Sequence, residues 1–228
     1  MSGVTCKGQD AEDSPFGACF HLDHLVTKRG SAAAKSAKFA LTILDERARF
    51  KGLAPTNDRS RKDILDNIHF FEGVEAGQQA RRWWTDSAPE FAVASRLIRS
   101  QRPFAHFRSI PYQHQSNGII ERCNRTIVEG TNAAIYSAGA DAKWWVCAGP
   151  YWVTMHNAFV IGKDGKTAWE RRFGDKPEFQ PYPWGALVFV KPPAELENGK
   201  DRFQAKMKPH ILVGIGIGPG VGYMVLAD

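Results

Sequence analysis

Ser109-Ile110-Pro111-Tyr112-Gln113-His114-Gln115-Ser116-Asn117-Gly118-Ile119-Ile120-Glu121-Arg122-Cys123-Asn124-Arg125-Thr126 decides how this chain is read, because a polar loop passes there into a helix that carries a carboxylate in its first turn. From Asn117 onward, Ile120, Cys123, Ile127 and Ala134 recur at three, four and seven residues, the spacing of one helix face. Asn117 stands at the N-cap position. Glu121 and Arg125 fall one turn apart on a shared face, where an ion pair is open to them.

Working upstream, Thr85-Asp86-Ser87-Ala88-Pro89-Glu90-Phe91 sets a second carboxylate at the end of a short strand, with 34 residues between Asp86 and Glu121. Phe20-His21-Leu22-Asp23 offers a third on an earlier strand. Three carboxylates brought together repel one another unless a divalent cation sits among them, and Mg²⁺ is held by a few carboxylates plus substrate phosphate oxygens. The set therefore points to metal-dependent phosphoryl transfer.

The stretch 109–126 resembles the catalytic-helix motif of retroviral and retrotransposon integrases, roughly S-x-P-Y-x-x-Q-x-N-G-x-x-E-R-x-N-R-T. Thr85 to Phe91 resembles the T-D-N-G-x-E-F element of the same family. Downstream, Trp144-Trp145, Asn157, Thr167-Ala168-Trp169-Glu170 and the terminal Ile211-Leu212-Val213-Gly214 and Gly222-Tyr223 resemble the copia class in particular. Asp45 stands where the family has the Asp of an I-D-D-like strand end, so Asp23 is preferred over it as the first ligand. The chain departs from the pattern at Ser87-Ala88, in place of Asn-Gly, at His114, in place of Pro, and in the 62 residues between Asp23 and Asp86.

The resemblance implies an α/β fold: an RNase H-like core, a mixed five-stranded sheet flanked by helices, over residues 18–170, then a small SH3-like β module over 171–228. It implies an integrase catalytic core performing 3′-end processing and DNA strand transfer. Asp23, Asp86 and Glu121 would hold two Mg²⁺ or Mn²⁺ ions, and Tyr112, Gln115, Asn117, Arg122 and Arg125 would contact DNA, both the element's ends and the target. A homo-oligomer working in the nucleus after cytoplasmic transit follows from the same likeness.

Composition agrees without deciding. A net charge of +6 and a pI near 9.2 favour a polyanionic partner. No secretory signal and no apolar run long enough for a bilayer are visible. Cys6, Cys19, Cys123 and Cys147 are too widely spaced for a disulfide framework, which suits a reducing compartment. Cys6 and Cys19, beside His21 and His24, match no common zinc spacing, so no structural zinc is expected of them.

Residues 1–17 are expected to be a mobile leader, with strands at 18–23, 38–44, 49–53, 80–85 and 104–108 and helices at 60–72, 91–98, from 117, and 142–157. After Gly174 short strands separated by prolines suggest the β module. Gly214 to Gly220 contains no G-x-G-x-x-G register and reads as a hairpin turn. Two rivals stand: a decayed or co-opted RNase H-like domain that binds nucleic acid without catalysis, favoured by Ser87-Ala88, and an RNase H-type nuclease, which would not carry the motif at 109–126.

Overall fold

The computed structural model describes residues 16–27, 37–73, 79–109, 117–191, 207–216 and 222–227. Five strands, β1 (Phe20–Val26), β2 (Phe39–Asp45), β3 (Lys51–Thr56), β4 (Arg82–Thr85) and β5 (Ala105–Arg108), form one sheet in the order β3-β2-β1-β4-β5. β1, β2 and β3 are an antiparallel meander, whereas β4 and β5 run parallel to β1 and to each other. This is the expected mixed five-stranded sheet.

Both faces are covered, and side-chain parity shows how. Phe20, Leu22, Leu41 and Ile43 point to a cluster built with Ile64 and Ile68 of α1 (Arg61–Glu72) and Phe91 and Ile98 of α2 (Pro89–Gln101). Leu44 faces the other way, onto Ile120, Cys123 and Ile127 of α3 (Gly118–Ser137) and Val153 of α4 (Trp145–Phe159). A strand covered on both faces reads as a continuous apolar run, as Phe39 to Leu44 does. Ser60 caps α1 by accepting from the Asp63 amide, and Gly73 ends it at φ 79°, where a side chain would be strained.

Several expected boundaries move. β1 continues three residues past Asp23, so that carboxylate lies within the strand, not at its end, because Leu25 and Val26 keep pairing with Ala40 and Phe39. Phe16, assigned to the leader, is buried against Phe20, Phe50 and Phe71. Asn117 sits at the N-cap position of α3, yet its side chain makes no capping bond. A further helix, α5 (Ala168–Phe173), is nucleated by a capping box in which Thr167 accepts from the Glu170 amide and Glu170 accepts from the Thr167 amide.

After α5, β6 (Leu187–Val190), β7 (Lys208–Gly216) and β8 (Gly222–Ala227) make a small antiparallel sheet. Leu212 and Ile215 pack it on Ile135 of α3 and Ala148 and Tyr151 of α4. β7 and β8 pair down to Gly216 and Gly222, while the glycine-rich connection at 217–221 lies outside the described residues. No helix among the described residues is long and apolar enough to cross a membrane.

Candidate active site

Strand pairing brings the first two carboxylates into one neighbourhood. β1 and β4 pair in parallel with Phe20 opposite Trp83 and His21 opposite Trp84, and Asp86, one residue past the end of β4, is near enough for its charge to act on Asp23. Asp86 leaves β4 where α2 is about to begin, and its Oδ1 accepts from the Ala88 amide at 3.0 Å. Glu121 lies in the first turn of α3, which packs across β1 and β2.

The electrostatics follow from that placement. Burial, then the charges of Asp86 and Glu121, raise the Asp23 carboxyl above its ordinary value, against the opposing bonds from the His24 amide at 2.8 Å and the Asn124 side-chain amide at 2.7 Å. The three carboxylates thus share one field. They do not collapse on one another: among the described residues, the one set of three ligand-type side chains with all donor atoms within 4.8 Å is Cys19, His21 and Glu46. The donor atoms of Asp23, Asp86 and Glu121 therefore do not all lie within 4.8 Å of one another.

Asp45 is excluded from this cluster by parity. It pairs with Phe20, whereas Asp23 pairs with Thr42, so the two carboxylates point to opposite faces of the sheet. Asp45 is fully buried and accepts from the amides of Gly17, Arg47 and Ala48, tying the segment just before β1 to the β2–β3 turn. Its role is structural.

Of the residues expected at the DNA, Arg122 and Arg125 are exposed on α3, and Asn117 is half-buried with its Oδ1 lacking a partner. Glu121 and Arg125 form no ion pair with each other, which leaves the guanidinium available. Tyr112 and Gln115 lie outside the described residues.

Four neighbours, Asn124, His24, Thr85 and His106, were not expected at this site. Asn124, one turn beyond Ile120, orients Asp23. His24 stacks on Phe91 at 4.8 Å and stands 3.7 Å from Glu90, which Arg59 also approaches at 3.4 Å, so burial and Arg59 lower its pKa against the pull of Glu90 and Asp86. Thr85 donates to the Asp86 carbonyl at 2.7 Å, so its 2.9 Å contact with His106 assigns the proton to His106 Nε2. For Asn124 the signal was present: it lies three residues after Glu121, on a neighbouring strip of the same helix.

No family model and no curated protein matches the chain. Among solved structures it is similar to the catalytic core of BIV integrase, at 15% identity and a TM-score of 0.51, covering 68% of this chain and 92% of that one. It is also similar to the HTLV-2 integrase catalytic core in complex with magnesium, in a trimeric form at 15% identity, TM-score 0.52, covering 69% and 97%. The dimeric form of that core gives 12% identity, TM-score 0.50, covering 69% and 96%. The fold is therefore that of a retroviral integrase catalytic core, RNase H-like, extended by a small three-stranded sheet.

Proposed function

We propose that this chain is the catalytic core of a copia-type retrotransposon integrase, performing metal-dependent 3′-end processing and DNA strand transfer. The observation that carries the reading is the common field of Asp23, Asp86 and Glu121, contributed by the two adjacent parallel strands and the helix packed across them. An RNase H-like frame with three carboxylates at that place is suited to polynucleotidyl transfer, and the motif at 109–126 favours DNA over the RNA of a hybrid.

The residues fit Mg²⁺ or Mn²⁺. Oxygen donors, partial burial and an excess of negative charge that raises the Asp23 carboxyl are the conditions a hard divalent cation relieves. Bound there, two such ions would lower the barrier to in-line displacement at phosphorus by activating the attacking oxygen and neutralising charge on the leaving one. Asp23 with Asp86, and Asp23 with Glu121, would hold them. Asn124 fixes the Asp23 carboxylate, the Ala88 amide fixes that of Asp86, and Arg122 and Arg125 would take phosphates flanking the reacting one, with Tyr112, Gln115 and Asn117 at the same DNA.

Residues 171–228 are proposed as an SH3-like module and the core as residues 18–170. A homo-oligomer acting in the nucleus completes the proposal; the dimeric and trimeric forms of the HTLV-2 core lend it support. The test is a strand-transfer assay with Mn²⁺ and an oligonucleotide of the element's own terminus. Activity lost in Glu121→Gln with DNA binding retained supports the reading. A parent chain that binds DNA and transfers no strand would favour the co-opted binder.

A further inference from the structure

Two residues upstream of Asp23, a second cluster of donors has a different chemistry. Cys19 and His21 alternate onto one side of the β1 end, and Glu46 comes from the turn after β2, held there by its amide donating to the Cys19 carbonyl at 3.0 Å. One ligand atom from each of the three lies within 4.8 Å of the other two. Cys19 and His21 are 4% and 3% exposed, while the Glu46 side chain is 28% exposed.

We propose that Cys19, His21 and Glu46 form a zinc site. His21 Nε2 stands 3.2 Å from Glu46 Oε2, near the ~3.4 Å that separates two ligands of a tetrahedral zinc with metal–ligand bonds of about 2.1 Å. That contact alone would also be a hydrogen bond. What a hydrogen bond leaves unexplained is the third donor, since a ligand atom of the buried Cys19 also lies within 4.8 Å of both.

The donor set selects the metal. A thiolate and an imidazole favour zinc over magnesium, which takes oxygen ligands, so this site and the carboxylate triad take different ions from the same solution. Three protein ligands leave a fourth position for water. Binding displaces the Cys19 thiol proton to solvent and leaves the sulfur as thiolate. The ion would clamp the start of β1 to the β2–β3 turn and so stiffen the strand that carries Asp23.

The test uses the full chain stripped with chelator and reloaded with Zn²⁺ or Co²⁺. One zinc per chain is expected to persist in millimolar Mg²⁺ and in Asp86→Asn/Glu121→Gln, and the cobalt form should show a near-ultraviolet thiolate-to-metal charge-transfer band. Cys19→Ser should abolish the band, Cys147→Ser should keep it, and Glu46→Gln, at a partly exposed position where folding is checked by circular dichroism, should weaken zinc binding tenfold or more. A cobalt form without the band, or folded Glu46→Gln with undiminished affinity, overturns the site. Neither result touches the strand-transfer reading, which rests on other residues.

Discussion

The side-chain amide of Asn124 donates to Asp23 Oδ2 at 2.7 Å, joining α3 to β1 at the centre of the candidate site. That bond lowers the cost of keeping Asp23 ionised, while burial and two neighbouring carboxylates raise it. Asn124→Ala should therefore destabilise the chain by about 1–2 kcal/mol, the scale of a lost hydrogen bond to a charged group. The loss should shrink in millimolar Mg²⁺, measured by urea unfolding with and without the ion. An equal loss in both conditions would mean that Asn124 serves packing alone.

Asp23 itself should behave as a destabilising charge when no cation is present. Its folded-state pKa lies above that of the unfolded chain, so the fold holds the proton more tightly. Stability is present at acid pH and falls as pH rises from the ordinary carboxylate value through the raised one. At pH 7 in chelator, Asp23→Asn should raise Tm by about 2–4 °C, what ~1 kcal/mol produces in a chain of this size. The parent should gain stability from millimolar Mn²⁺ and the variant much less. A variant less stable than the parent in chelator would show that the charge is already compensated.

Two histidines act in the opposite direction. His156 is pushed down to about 4 by burial and then by Lys51, and His106 to about 4 by burial, Arg108 and Arg99. Each binds its proton more readily in the unfolded chain, so stability is lost as pH falls from about 6.5 towards 4. Because both rings are partly solvated, about 1–2 kcal/mol each is a fair scale. His156→Gln and His106→Gln should each flatten the acid limb of a Tm-against-pH curve, and a curve unchanged by both substitutions would put the acid sensitivity elsewhere.

The sheet and its helices were legible because burial writes itself into periodicity: Phe39 to Leu44 as an unbroken run, and Ile120, Cys123 and Ile127 as a helical stripe. Register was not legible. Nothing local in Phe20-His21-Leu22-Asp23 says that the strand continues to Val26, or that Asp45 turns to the opposite face from Asp23. The small helix at 168–173 was missed although Thr167 and Glu170 spell a capping box, since six residues are too few to show a period. Asn124 could have been found from its place three residues after Glu121 on the same helix, whereas His24 had no such signal, because its contact with Glu90 is made only in three dimensions.

Helix packing gives the sharpest contrast in the chain. α3 and α4 cross closely at Gly130, where an added Cβ would lie 1.9 Å from Trp152 Cε2 and 2.1 Å from Cζ2. Helix propensity alone would favour alanine there by about 1 kcal/mol. A contact that short against a rigid indole forces the helices apart, and overpacking of this kind costs about 1–3 kcal/mol or more. The clash wins, so Gly130→Ala should destabilise by roughly 2 kcal/mol. At Gly118, in the first turn of α3, an added Cβ meets nothing within 4 Å, and Gly118→Ala should be neutral or stabilise by about 0.5 kcal/mol through the unfolded chain's lost freedom. Paired urea titrations of the two variants check this, and a Gly130→Ala chain as stable as Gly118→Ala would show that α3 and α4 do not approach as closely as Trp152 requires.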